Sequence, residues 1–361
     1  MDICDDNGNN RALIKIIELA RWAPSGDNTQ PWRFEFIDDN TIDILAHDTR
    51  DWCVYDLDGS ASEIAVGALL ETIAIAATGE GLGVSFSYRQ QDVVGKTIIR
   101  ATFEKVSVPP NSLIPFIEHR CTQRRPFTTT PLSNIQKEQL QTAVGSDYRI
   151  IWFEQKYQKK TIAKLLFKNA HIRLTIKEAY EVHSRIIEWD TQFSETKIPD
   201  QAIGLDGMPL KMMRWAMQSW SRVKWLNRYL AGTLLPRIQL DYIPGLKCAA
   251  HFVIIANKPL DSEYAFHQGG RALQRFWLTA TKLGLQFQPE MTPLIFSRYD
   301  EMSLAFTNDY NATAKAHELS ASLNELMGHE TIGHRVFMGR LGIGPTPVSR
   351  SIRRPLNQLI K

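Results

Sequence analysis

Two short stretches concentrate the side chains able to grip a small, charged, planar molecule. The first is Pro24-Ser25-Gly26-Asp27-Asn28-Thr29-Gln30-Pro31-Trp32, one flexible glycine among hydroxyl, amide and carboxyl groups, followed by an indole. Such a loop offers backbone and side-chain donors and acceptors that suit a planar heterocycle. A polar turn in which Asn28 caps its own backbone has the same composition, and both readings stay open. The second stretch is His119-Arg120-Cys121-Thr122-Gln123-Arg124-Arg125-Pro126-Phe127. Guanidiniums beside a hydroxyl can clamp a phosphate through charge-assisted, bidentate hydrogen bonds. On charge alone, a solvated basic helix start and a nucleic-acid contact fit as well.

Other arrangements fail on spacing. Gly79-Glu80-Gly81-Leu82-Gly83 lacks the GxGxxG pattern of a dinucleotide loop and follows a helix rather than a strand. His329 and His334 stand five apart, so on a helix they diverge where a zinc pair would converge. Cys4, Cys53, Cys121 and Cys248 form no CxxC pair, which points to neither a metal site nor a disulfide framework and fits a reducing compartment. No metal and no protein nucleophile is expected.

The elements that must position the two stretches follow from pattern. Apolar residues recur at helical spacing over residues 11–22 and feed the first loop. Residues 32–37 and 41–45 alternate around Asp38-Asp39-Asn40, which predicts a hairpin. Residues 60–77, rich in alanine and glycine, read as a central helix, followed by strands at 84–88 and 97–103 and a helical stretch at 114–119. A strand at 149–153 precedes a mostly helical region, 159–242, interrupted at Pro199, Gly204 and Pro236 and read as an inserted cap. A strand at 251–256, a long amphipathic helix at 263–283, a strand at 336–341 and a basic tail at 349–355 complete the chain. Gly67-Ala68-Leu69-Leu70 and Gly270-Arg271-Ala272-Leu273 precede Gly81-Leu82-Gly83 and Gly284-Leu285 at similar spacing, a faint internal duplication.

With 361 residues the chain suits two domains or one enlarged domain. A net charge of +3 gives no general reason to expect nucleic-acid or membrane binding. Acids occupy the first residues where a secretory signal needs bases, and the longest apolar run, 64–77, is interrupted by Glu71 and short of a bilayer span. Trp215, Trp220 and Trp225 with Met212, Met213 and Met217 give the helical region an apolar, partly basic face; core packing or lid closure is the favoured use, membrane-surface binding the lesser one.

Read together, residues 20–34 resemble the Ala-Pro-Ser-x-x-Asn-x-Gln-Pro-Trp motif of the nitroreductase-like FMN flavoproteins. Arg120-x-Thr122-x-Arg124 resembles that family's phosphate-binding Arg-x-Ser-x-Arg, but it follows the loop where ordinary members place it before. That order is similar to the Acg-like branch, in which two nitroreductase-type halves are fused and a lid is added. The resemblance implies an α+β nitroreductase fold of two pseudo-symmetric halves with antiparallel-rich sheets packed by helices: residues 1–112, and residues 113–361 with a lid at about 159–242. It implies FMN contacts from Pro24, Ser25, Asn28 and Gln30, a phosphate clamp from Arg120, Thr122, Arg124, Arg353 and Arg354 with Arg350 as a neighbour, and a loop at Glu290 and Met291 facing flavin N5. Met291 stands there in place of the family's glycine.

The activity so implied is hydride transfer from NADH or NADPH through FMN to a small electron-poor acceptor, a nitroaromatic or quinone, in a cytoplasmic tandem-duplicated protein that could dimerise further. FMN storage without turnover, and a specialised flavin dehydrogenase of biosynthetic tailoring, are the alternatives. No nucleic-acid partner is expected, and membrane contact is not favoured.

Overall fold

The structure is a computed structural model that describes residues 8–89, 96–229 and 232–361. Helix α1 (Gly8–Ala20) leads through the first loop to β1 (Trp32–Asp38) and β2 (Thr41–His47). These pair antiparallel from Trp32↔Ala46 to Asp38↔Thr41, with Asn40 N donating to Asp38 Oδ1 at 2.9 Å in the turn. Helix α2 (Ser60–Gly79) and strands β3 (Leu82–Arg89) and β4 (Lys96–Lys105) complete an antiparallel sheet of order β1-β2-β4-β3. Alternation along the strands sends Phe34, Ile42, Ile44, Ile99 and Phe103 inward, against Leu13, Ile16 and Ile17 of α1 and Leu69 and Ile73 of α2.

The second part opens with α3 (Asn134–Val144), started by a Ser133–Gln136 capping box, and β5 (Tyr148–Phe153). Then come α4 (Lys156–Thr175), α5 (Lys177–Ile186), three minimal strands β6 (Ile187–Glu188), β7 (Phe193–Ser194) and β8 (Ile198–Pro199), α6 (Gly207–Ala216) and α7 (Trp220–Tyr229). A short α8 (Leu234–Pro236) passes through a π-helical stretch, Arg237–Tyr242, into α9 (Ile243–Leu246). Strand β9 (Ala250–Ala256) is buried throughout and is followed by α10 (Glu263–Lys282), β10 (Gln286–Pro289), α11 (Thr292–Glu301), α12 (Tyr310–Met327), β11 (Arg335–Gly342) and β12 (Arg350–Ser351).

The second large sheet has the order β10-β11-β9-β5, all antiparallel. Read as helix, strand, strand, helix, strand, strand, its elements α3, β5, β9, α10, β10 and β11 follow the same sequence and neighbour order as α1, β1, β2, α2, β3 and β4.

Helices α2 and α10 pack on each other. Helix α2 is the one described helix long and apolar enough to cross a membrane, but it is largely buried within the protein. Its apolar residues surround the whole axis because it has a sheet on one side and α10 on the other. Glu63 with His267, Arg271 with Glu71 at 2.8 Å and Gln274 with Thr72 at 2.9 Å lace the polar positions of the contact. Around α10, Phe252, Phe276, Phe287 and Phe337 form an aromatic core, with Trp277 stacked on Phe287 at 4.0 Å between centroids.

The tail returns to the first part. Strand β12 pairs parallel with β7, Phe34 N donates to Leu359 O at 2.8 Å, and Lys361 N donates to Phe34 O at 2.9 Å.

Two departures from the sequence reading have physical causes. The helical stretch expected at 114–119 is a single 3-10 turn, Ile114–Phe116. The chain then extends so that Gln123 N can donate to Phe287 O at 2.9 Å, beside the second sheet. The region read as mostly helical contains β6, β7 and β8, whose two-residue lengths leave no periodicity to read.

Candidate functional site

A cavity of about 670 Å³ lies where the first loop, the N-terminal end of α2, the 120–124 segment, the turn after β10, the tail and helices α4 to α8 converge. Pro24, Ser25, Asn28, Arg120, Thr122, Arg124, Met291 and Arg353 line it; Gln30, Glu290 and Arg354 do not.

The loop is held in a demanding backbone shape. Asp27, Asn28 and Gln30 have φ of 52°, 61° and 49°. Asn and Asp enter the left-handed region with modest strain, a glutamine less readily, and such residues persist only where the surroundings fix them. The surroundings do so. Asn28 Nδ2 lies within hydrogen-bond distance of the carbonyls of Glu195 (3.1 Å), Ile352 (3.1 Å), Lys197 (3.3 Å) and Ser194 (3.4 Å), while its Oδ1 accepts from Arg353 Nη1 at 3.0 Å. Gln30 Nε2 donates to Glu195 O at 2.8 Å and its Oε1 accepts from Arg354 N at 3.0 Å. Ser25 Oγ accepts from Gln30 N at 3.0 Å. Both amides are thus engaged in tying the loop to the helical region and to the tail.

On one wall stand three guanidiniums, Arg120, Arg350 and Arg353. Arg353 is buried and donates to the carbonyls of Ala23 (3.1 Å) and Ile352 (2.9 Å). Arg120, also buried, donates to Trp22 O at 3.0 Å and lies over the Trp277 ring at 4.5 Å. Arg350 donates to Glu118 O at 2.8 Å and to Arg120 O at 3.2 Å. Among the described residues none of the three forms an ion pair with a carboxylate, and the Nε atoms of Arg120 and Arg350 are buried without a partner. Burial, then the neighbouring Arg350, pushes Arg120 down to about 9; burial, then Arg120 and Arg350, carries Arg353 well below the usual arginine range. Uncompensated buried charge costs several kcal/mol and is relieved by a counter-anion.

Arg124 stands elsewhere. It donates to Ala202 O at 3.1 Å, and burial lowers its pKa while Asp27 opposes the shift. Asp27 is in turn pushed up to about 6 by burial, with Arg124 offsetting part of the rise. Beyond it lies a polar group that no motif announced. Tyr55 Oη and His183 Nε2 are 3.0 Å apart, and Arg173 Nη2 donates to Asp241 Oδ1 at 2.7 Å. Burial, helped by Arg173, lowers His183 to about 3 and keeps it neutral, and burial raises both Tyr55 and Asp241, the latter to about 6. The π-helical stretch brings Gln239 and Asp241 to the cavity. The remaining wall is apolar, with Met213, Met217, Leu226 and Ile295.

The residues expected to face a flavin ring from the turn after β10 divide. Met291 lines the cavity and its Sδ accepts from Met338 N at 3.4 Å. Glu290 is buried behind it, its carboxylate 2.7 Å from His251 Nδ1 and 3.4 Å from Arg340 Nε, its amide given to Met338 O at 2.9 Å. Burial alone would lower His251, but Glu290 and Cys248 outweigh it and raise the group to about 10. Arg354 contributes its backbone to Gln30, and its Nη1 lies 3.5 Å from Gln358 Oε1.

No family model matches the chain. Over 354 residues it is 25% identical to an uncharacterized protein of Mycobacterium tuberculosis, covering 94% of this chain and 47% of the other, so the chain spans about half the length of the curated relative it matches. Among solved structures it is similar to the FMN- and NADPH-dependent nitroreductase NfnB from Sphigopyxis sp. strain HMH, at TM-score 0.38 and 12% identity over 70% of this chain and 98% of that one. A nitroreductase-like protein from Bacillus cereus gives 0.36 and 12% over 71% and 98%. An FMN-bound nitroreductase from Bacteroides fragilis gives 0.34 and 11% over 65% and 89%. Agreement of this depth carries no chemistry from those proteins to this one.

Proposed function

We propose that the chain is an FMN-dependent oxidoreductase of the nitroreductase type, built as two fused halves, residues 1–112 and 113–361, with residues 159–242 as a lid. One observation carries the reading: three guanidiniums without a carboxylate among the described residues, Arg120 and Arg353 buried and Arg350 half-buried, with the Nε atoms of Arg120 and Arg350 unpartnered, on the wall of the cavity that the Pro24–Thr29 loop lines. A terminal phosphate supplies the missing charge and acceptors. The matching strand order of the two sheets supports the fused-half reading.

Arg120, Arg350 and Arg353 would hold the phosphate, and Pro24, Ser25 and the strained loop would hold the ring system and its chain, with Thr122, Arg124 and Met291 on the remaining walls. When bound, FMN would supply the redox chemistry, hydride exchange between NADH or NADPH and a small electron-poor acceptor such as a nitroaromatic or a quinone. The protein's own part is binding, exclusion of water and placement of protons. Met213, Met217, Leu226 and Ile295 keep the opposite wall dry. Tyr55 keeps its proton on Oη and His183 stays neutral, so the pair presents a hydrogen-bonding edge without net charge.

A second reading, storage of FMN without turnover, is favoured by the ties from Asn28 and Gln30 to residues 194–197, which fasten the helical region over the cavity.

Purification of the whole chain and a visible spectrum test the first layer. A flavin spectrum, or saturable uptake of added FMN, is expected; a colourless protein that FMN does not saturate overturns both readings. Anaerobic mixing with NADH or NADPH then divides them, rapid bleaching meaning turnover and persistent yellow meaning storage.

A further inference from the structure

We infer that helices α6 and α7 form a contact surface for an anionic lipid bilayer. Residues 207–243 hold six basic side chains and one acidic, against 42 and 39 in the whole chain, so the remainder carries 36 and 38. The positive surplus of the protein therefore resides in this one segment.

The same segment exposes its apolar side chains. Met208, Met212 and Trp215 follow one another at i, i+4 and i+7 on α6 and are 67%, 46% and 43% exposed. Trp225 and Tyr229, at i and i+4 on α7, are 50% and 62% exposed. Ring contacts join the two helices into one ridge, Trp215 to Trp225 at 6.5 Å and Trp225 to Tyr229 at 6.0 Å. Arg222 stacks on Trp215 at 4.8 Å and Arg228 on Tyr229 at 5.5 Å, which places guanidiniums along the apolar crest.

Indole and phenol rings beside methionine, with arginine and lysine at their margins, match the boundary between headgroups and acyl chains. A second copy of the chain is a poorer occupant: a twofold contact would set the basic residues of one face against those of the other. Because α2 is buried, the contact is peripheral rather than spanning.

Met212 belongs to both features, lining the cavity while nearly half exposed, so the ridge adjoins the cavity. An apolar acceptor dissolved in the bilayer could pass into the cavity without crossing water. That consequence rests on the oxidoreductase reading; the lipid contact does not.

Co-sedimentation of the full chain with vesicles of phosphatidylcholine and phosphatidylglycerol, against phosphatidylcholine alone, tests the contact. Binding to the anionic vesicles, weakened by salt and accompanied by a blue shift of tryptophan emission, is expected. The pair Trp225→Ala with Tyr229→Ala, and the pair Lys224→Glu with Arg228→Glu, should each lower partitioning by about tenfold or more. These four residues do not line the cavity, and an unchanged unfolding temperature verifies that the variants fold. No preference for anionic vesicles, or sedimentation of both variants equal to that of the unaltered protein, overturns the inference. So does binding to polyglutamate as firm as to vesicles, which assigns the face to an acidic protein. A dimer that Trp225→Ala with Tyr229→Ala dissociates, with no vesicle binding, assigns it to a second copy. Vesicle binding is measured without flavin, so its failure and a failure to bind FMN are separate results.

Discussion

Gly67 and Gly270 meet at the crossing of α2 and α10, each lying where the other helix brings a carbonyl. A Cβ on Gly67 would stand 2.1 Å from His267 O, and a Cβ on Gly270 would stand 2.1 Å from Ile64 O. Each carbonyl belongs to the residue three before the opposing glycine, so the approach is reciprocal. Nothing larger than hydrogen fits either position while the helices keep their separation.

Gly67→Ala and Gly270→Ala should therefore each destabilise the protein by about 3 kcal/mol or more, because the obstacle is backbone and cannot rotate away. Gly26→Ala is the comparison: nothing lies within 4 Å of the point its methyl group would occupy, so its effect on stability should stay within about 0.5 kcal/mol. Chemical unfolding at equilibrium measures all three. A mild Gly67→Ala would mean that the helices can part.

Arg120→Met separates stability from binding. It removes a buried charge that lacks a carboxylate partner while keeping much of the contact with Trp277. The ligand-free protein should unfold at an equal or higher temperature. FMN affinity should fall by about 10- to 100-fold, as expected for one lost charge-assisted contact. Titration calorimetry beside thermal unfolding gives both quantities, and a parallel loss of both would make Arg120 a structural residue.

Asp27→Asn should stabilise the protein in a pH-dependent way. The carboxyl is raised by burial from 3.8 to about 6, so the native state holds its proton more tightly than the unfolded chain does. Below 3.8 both states are protonated and the substitution gains nothing. Between 3.8 and about 6 the unfolded chain ionises first and the gain grows; above about 6 it is constant. Unfolding curves across that range would show a flat difference if Asp27 were solvated.

Asn28→Ala should cost about 1–3 kcal/mol, since it strips donors from buried carbonyls and an acceptor from Arg353. The damage should be local. Hydrogen exchange should rise over residues 193–199 and 350–353 before it rises in the two large sheets.

Much of the scaffold was legible because it repeats locally. The β1–β2 hairpin was readable from alternation broken at Asp38-Asp39-Asn40, and α10 from its amphipathic period. The loop and Arg120 were readable because their chemistry is contiguous in sequence. Tyr55, Arg173, His183 and Asp241 were not, since four separate segments bring them together and none carries a motif. The engagement of Asn28 and Gln30 was hidden for a different reason: their partners are main-chain carbonyls, which every residue type supplies. Arg350, expected only as a neighbour of Arg353, stands on the same cavity wall as Arg120 and Arg353 because its side chain donates to the main-chain carbonyls of Glu118 and Arg120.

The pairing of Phe34 with Leu359 and Lys361 has a kinetic consequence. The outer edge of β1 finds its partner more than 300 positions away, so the first sheet cannot be finished from the first part alone. Closing so long a loop delays native contacts. The two parts should consequently fold as one cooperative unit, and a chain cut between β4 and α3 should yield fragments that assemble only together.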